Sequence, residues 1–192
     1  MKISSAVRAA IATCTFALTA QASAALLQVN SSGILTGAKG VDVAGVLYDV
    51  TFADGSCKTL FTCSTASFPF KLGVEAEPAA KALLDQVFVN GSLGQFDSSP
   101  NRVFGCSGAT SCTTWIPYIA SSNLMYAAWA VNNRANSLDS TATFKLTDPG
   151  YTSGPNENFA IFKRAAVVPE PSSIALIGLA LAGLALSRRR KS

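Results

Sequence analysis

From Val46 to Phe52 apolar side chains take every second position, at Val46, Tyr48, Val50 and Phe52, until Asp54-Gly55 breaks the run. A period of two is what a strand with one buried face requires, and it predicts the clearest strand of the chain. "ALLQVN" and "GILTG" predict short strands before it. "NLMYAAWAVNN", "STATFKLTD" and "NFAIFKRAA" predict three more, separated by turns rich in Asn, Asp and Gly, although the Ala-rich "MYAAWA" also suits the start of a helix. The period changes in "EPAAKALLDQVFVNG", where Ala80, Leu83, Leu84, Val87 and Phe88 share one face and Lys81 and Asp85 lie on the other. That spacing predicts a helix with Pro78 in its first turn and Asn90-Gly91 at its end. The stretch from Ser92 to Pro117, dense in Gly, Ser, Pro and Asn, predicts loops. Strands flanking one helix imply a single α+β domain over residues 25–167, an antiparallel sheet with the helix packed on one face.

Both ends of the 192-residue chain depart from this pattern. Residues 1–24 begin with Lys2 and Arg8, continue in an apolar run from Ala9 to Ala20, and finish in Ala22-Ser23-Ala24, the order of a secretory signal peptide cleaved after Ala24. At the other end, residues 168–192 carry an uninterrupted apolar run from Ile174 to Leu186. As a helix this run is about 20 Å long against a hydrocarbon core of roughly 30 Å. Flanking serines lengthen it, so the expectation is a short transmembrane segment at 174–187 that spans only with help from snorkelling arginines. The basic tail at 188–191, Arg188, Arg189, Arg190 and Lys191, would stay cytoplasmic and retain the chain in the inner membrane with the body outside.

The formal net charge of +4 points to an anionic partner only until the charges are located. Six of the 15 bases stand in the two terminal segments, leaving nine against ten acids in the body. Scattered and balanced, they do not make a nucleic-acid surface. Of five cysteines, Cys14 lies in the signal peptide, and the others form two pairs with equal spacing, Cys57 with Cys63 and Cys106 with Cys112. An even count in an exported chain reads as disulfides. Three connectivities are open, and the turn-rich surroundings of each pair favour the local one. Zinc is disfavoured because its cysteine pairs usually stand closer together.

The chain contains no histidine, which removes the serine and cysteine triads and every histidine-based metal site. No catalytic residue, metal site or cofactor is therefore assigned. Carboxylates remain as the basis for a hydrolase, since glycosidases need only two across a cleft. However, Glu75 and Glu77 suit a helix start, and Asp54 and Asp148 suit turns. Among the aromatic residues, Trp115, Tyr118, Tyr126, Trp129 and Tyr151 offer rings to saccharide faces. Tyr126 and Trp129 are expected in the core, and of the other three Trp115 and Tyr118 are the candidate glycan contacts.

The C-terminal order of Val168, Pro169, Glu170, Pro171 and Ser172, an apolar segment and an arginine cluster resembles the PEP-CTERM sorting signal of exported proteins in Gram-negative bacteria that make exopolysaccharide. The resemblance implies an exosortase-type processing enzyme as partner, transient residence in the inner membrane, cleavage near Pro169-Glu170-Pro171, and delivery to the cell surface or extracellular matrix. It covers about the last 25 residues. The body also resembles domains that accompany this signal, which implies no activity. The expected function is a structural, adhesive or glycan-binding role at the surface or in an exopolysaccharide biofilm matrix, not enzymatic, with a carboxylate-dependent hydrolase of surface polysaccharide as the alternative.

Overall fold

The computed structural model describes residues 24–166 apart from 123, 147 and 149. The proposed signal peptide and C-terminal apolar helix thus lie outside the described residues, Ala24 excepted, and among the described residues no helix is long and apolar enough to cross a membrane. The alternating stretch forms β3 (Val46–Ala53), preceded by β1 (Leu26–Val29) and β2 (Leu35–Val43). A short helix α1 (Cys57–Phe61) and the long helix α2 (Gly73–Gln86) follow, then a two-residue hairpin of β4 (Asn90–Gly91) and β5 (Gly94–Gln95). β6 (Ser111–Ala120), β7 (Met125–Asn133), β8 (Ser140–Leu146) and β9 (Glu157–Arg164) complete the chain.

Seven strands form one sheet in the order β1-β2-β3-β9-β6-β7-β8. The antiparallel meanders β1-β2-β3 and β6-β7-β8 are joined by β9, which runs antiparallel to β3 and parallel to β6. This corrects the expected α+β class with an antiparallel sheet. The body is mostly β, its sheet is mixed, and one long helix packs on it. The parallel pair arises because β9 enters a slot whose two walls, β3 and β6, run in opposite directions, so it cannot be antiparallel to both.

The sheet is covered by α2 on one face and by α1 over part of the other. On one side α2 places Ala76, Ala79, Ala80 and Leu83 against Ala128 and Ala130 of β7, with β2, β6 and β8 also beside the helix, and apolar residues of β3 and β9 extend the same core. Small residues on both surfaces allow close approach. On the other side α1 and the turn after it bring Phe61 and Phe68 onto Phe159, Met125 and Ala127. α2 begins at Gly73, ahead of the stretch whose period predicts it, so Pro78 falls in its second turn rather than its first, where its missing N–H leaves the Val74 carbonyl without the usual helical donor. Glu75 secures that start by accepting the Lys71 N–H at 2.8 Å.

The expectation of loops up to Pro117 also needs correction, because β6 begins at Ser111. Pro117 is tolerated within the strand because pairing with β9 covers residues 113–115 and a register irregularity follows at Pro117/Ile119. The chain before β6 is a loop held from within the sheet. Asn132 Nδ2 donates to the Phe96 carbonyl at 2.8 Å, and Asn158 Nδ2 donates to that of Phe104 at 2.6 Å.

Candidate functional site

Both expected local disulfides are formed, Cys57–Cys63 with Cα atoms 5.0 Å apart and Cys106–Cys112 with 5.7 Å. They serve opposite faces of the sheet. Cys57 packs with α1 in the smaller cluster, and Cys106 and Cys112 pack in the larger one beneath α2. Ser56 caps α1 by accepting the Thr59 N–H, while the Thr59 hydroxyl accepts the Ser56 N–H at 3.0 Å. The helix therefore starts beside its disulfide and ends in left-handed Thr62 and Cys63.

The two expected glycan contacts do not share a surface. Trp115 is 4 % exposed and Tyr118 7 %, and they point to opposite faces of the sheet. Tyr118 packs against Tyr126 on the α2 side, where burial first and Tyr126 second raise its pKa above the ordinary tyrosine range. Trp115 lies on the other face at the base of an aromatic cluster. Its ring centre is 5.4 Å from Trp129, 6.3 Å from Phe144 and 6.3 Å from Tyr151. Its buried indole N–H has no hydrogen-bond partner among the described residues.

The accessible part of this cluster is formed by residues expected in other roles or in none. Trp129, expected in the core, is half-buried. It stacks on Phe144 at 5.5 Å with 12° between the ring planes, and Phe144 is 47 % exposed. Cross-strand register builds the arrangement: Phe159 of β9, Trp115 of β6, Trp129 of β7 and Ala142 of β8 form one row, and Phe144 sits one pair further along. Small Ala142 beside Trp129 leaves room for the larger ring to lean over. Tyr151 closes the cluster on one side, its hydroxyl donating to the Glu157 carboxylate. Burial first, and then that carboxylate, push its pKa up to about 12.

Further along the same face the sheet turns polar. A cleft of about 370 Å³ is lined by Gln28, Thr36, Lys39, Asp49, Thr51 and Lys163 among others. Asp49 accepts the Gly40 N–H at 3.2 Å. Three other clefts contain Asp85, Glu75 and Glu77 respectively, so each of the four holds a single carboxylate.

The surface features define a disulfide-braced body that presents an aromatic and polar sheet face, with the residues proposed for sorting lying beyond β9 and outside the described residues. Residues 167–191 match the family model described as the PEP-CTERM protein-sorting motif. The chain therefore carries a PEP-CTERM sorting motif, which implies export and processing by an exosortase at the membrane. Val168, Pro169, Glu170, Pro171, Ser172 and the basic cluster Arg188, Arg189, Arg190 and Lys191 all fall within the match. No curated protein and no solved structure matches the chain.

Proposed function

We propose that the body is a non-enzymatic glycan-binding domain which, once sorted, resides at the cell surface or in the exopolysaccharide matrix. The observation that carries this reading is the Trp129–Phe144 stack, a partly exposed pair of nearly parallel rings on a rigid sheet face. Such rings suit the apolar face of a pyranose, and hydrogen-bonding side chains further along the face suit its hydroxyls. Binding is preferred to hydrolysis because glycosidic cleavage uses two carboxyl groups about 5–10 Å apart, whereas each described cleft contributes one.

The test is affinity electrophoresis of the exported protein in gels containing the host's own exopolysaccharide, with reducing ends assayed in parallel. Retardation is expected without release of reducing ends. Trp129→Ala and Phe144→Ala should each weaken binding at least about tenfold, as loss of a stacking aromatic does in other sites. Unretarded wild-type protein, or ring variants that bind as the wild type does, would refute glycan binding. Steady release of reducing ends would establish the hydrolase instead.

A further inference from the structure

β8 ends the strand order and pairs with β7 alone, so one row of its backbone N–H and C=O groups is open to a further strand. The opposite edge, β1, is a poor template: it has four residues and an irregular register at Gln28/Val29. β8 has seven residues, no proline and one charge, Lys145. Register with Ala130, Ala128 and Tyr126 puts Thr141, Thr143 and Lys145 on the α2 side, and Ala142 and Phe144 on the aromatic side.

Apolar surface collects along this edge. Gly73, the first residue of α2, sits so close to Thr143 that a methyl group in place of its hydrogen would be 3.3 Å from Thr143 Cγ2. Leu72 and Val74 flank that contact and are exposed, Val74 by 77 %. Next to them a cleft of about 420 Å³ is lined by Val74, Glu77, Pro78, Lys81 and Thr141. Lys81 is taken by Asp85 at 2.7 Å. Glu77 and Lys145 have no ion-pair partner among the described residues.

We propose that β8 is a self-association edge, at which two copies of this chain pair β8 with β8 antiparallel about a twofold axis at Thr143. The occupant is a second copy because this strand complements itself. Centring on Thr143 sets Phe144 against Ala142 of the second copy on one face, and Lys145 against Thr141 of the second copy on the other. Thr141 lines the cleft that holds Glu77, so each lysine enters the other protomer's cleft beside an unpaired carboxylate. A lysine on an edge strand ordinarily deters pairing, but in this register it gains a counter-charge twice. Leu72 and Val74, beside the axis through Gly73 and Thr143, meet their own equivalents, as an isologous interface requires. The same axis brings both Trp129–Phe144 stacks onto one side of a continuous sheet.

The test is sedimentation velocity of the exported, naturally processed protein from about 1 to 100 μM, with no glycan present, so that this proposal and glycan binding fail separately. A dimer whose fraction rises with concentration is expected. Lys145→Glu should weaken it about tenfold by turning attraction into repulsion, and adding Glu77→Lys should restore it. Thr143→Cys, introducing the one thiol outside the two disulfides of the body, should link the copies through an intermolecular disulfide found in non-reducing peptide maps. Monomer throughout the range would overturn the proposal. So would a dimer indifferent to Lys145→Glu, a charge swap without recovery, or a Thr143→Cys dimer that does not cross-link.

Discussion

Gln86 and Asp42 are joined by two hydrogen bonds: Gln86 Nε2 donates to the Asp42 carbonyl at 2.8 Å, and the Asp42 N–H donates to Gln86 Oε1 at 2.9 Å. β1 reaches β2 only as far as Lys39, so beyond it the outer side of β2 lacks a strand neighbour. The glutamine amide takes that place and fixes the C-terminal end of α2 to the sheet. Gln86→Leu leaves a donor and an acceptor unpaired at a half-buried position and should cost about 2 kcal/mol. Urea unfolding monitored by circular dichroism reads this directly. Gln86→Glu, which keeps the acceptor, should cost less, and equal losses would show that the pairing is unimportant.

The two disulfides should contribute unequally. Each closes a loop short enough that chain entropy alone gives about 2 kcal/mol. Cys57→Ala with Cys63→Ala should lose roughly that amount. Cys106→Ala with Cys112→Ala should lose more, because both sulfurs are buried in the larger core and their removal also leaves a cavity. Matched denaturation curves of the two variants decide the order.

Tyr151 ties alkaline stability to the aromatic face. Its folded pKa of about 12 lies above the ordinary value of 10.0, so the neutral phenol is favoured by folding. The contribution is complete below pH 10 and is lost as pH rises towards 12. Tyr151→Phe should flatten the fall in melting temperature across that window. It should also remove the highest step from the ultraviolet phenolate titration, and an unchanged titration would contradict the assignment.

Replacing Pro169, Glu170 and Pro171 together with alanine should abolish processing. Proline has a fixed φ and no amide donor, so the sequence of this linker is unsuited to continuing the helix expected after it and suits recognition as an extended substrate. The variant should stay in the inner membrane with its C-terminus intact, whereas wild-type protein from the outer surface or medium should lack Ile174 to Ser192. Intact mass of the two pools is the measurement.

The sequence reveals those elements whose pattern depends on nearby residues. β3 follows from its alternation, α2 from its 3.6-residue period, and the sites of β7, β8 and β9 from short β-prone runs between turns. β6 is hidden because both of its faces are buried. Cys112, Thr114 and Ile116 face α2 while Trp115 faces the other way, so polar and apolar residues never alternate. The parallel pairing of β6 with β9 joins residues over 40 positions apart and leaves no local trace. Phe144 escapes notice between a threonine and a lysine for the same reason, since its importance comes from Trp129 on the neighbouring strand. The sorting motif is wholly legible because an enzyme must read it as linear sequence.

The position of β9 also constrains the order of assembly during export. A chain that crosses the membrane amino end first delivers two three-stranded meanders, each able to form from neighbouring segments, before the strand that unites them has emerged. The sheet closes only once residue 164 is through, and the matched motif begins at residue 167. That interval is about 10 Å of extended chain, so the last act of folding and the presentation of the processing site take place at the same membrane surface and almost together. A chain halted before residue 157 would leave both half-sheets with bare inner edges, ready to pair with the wrong strand.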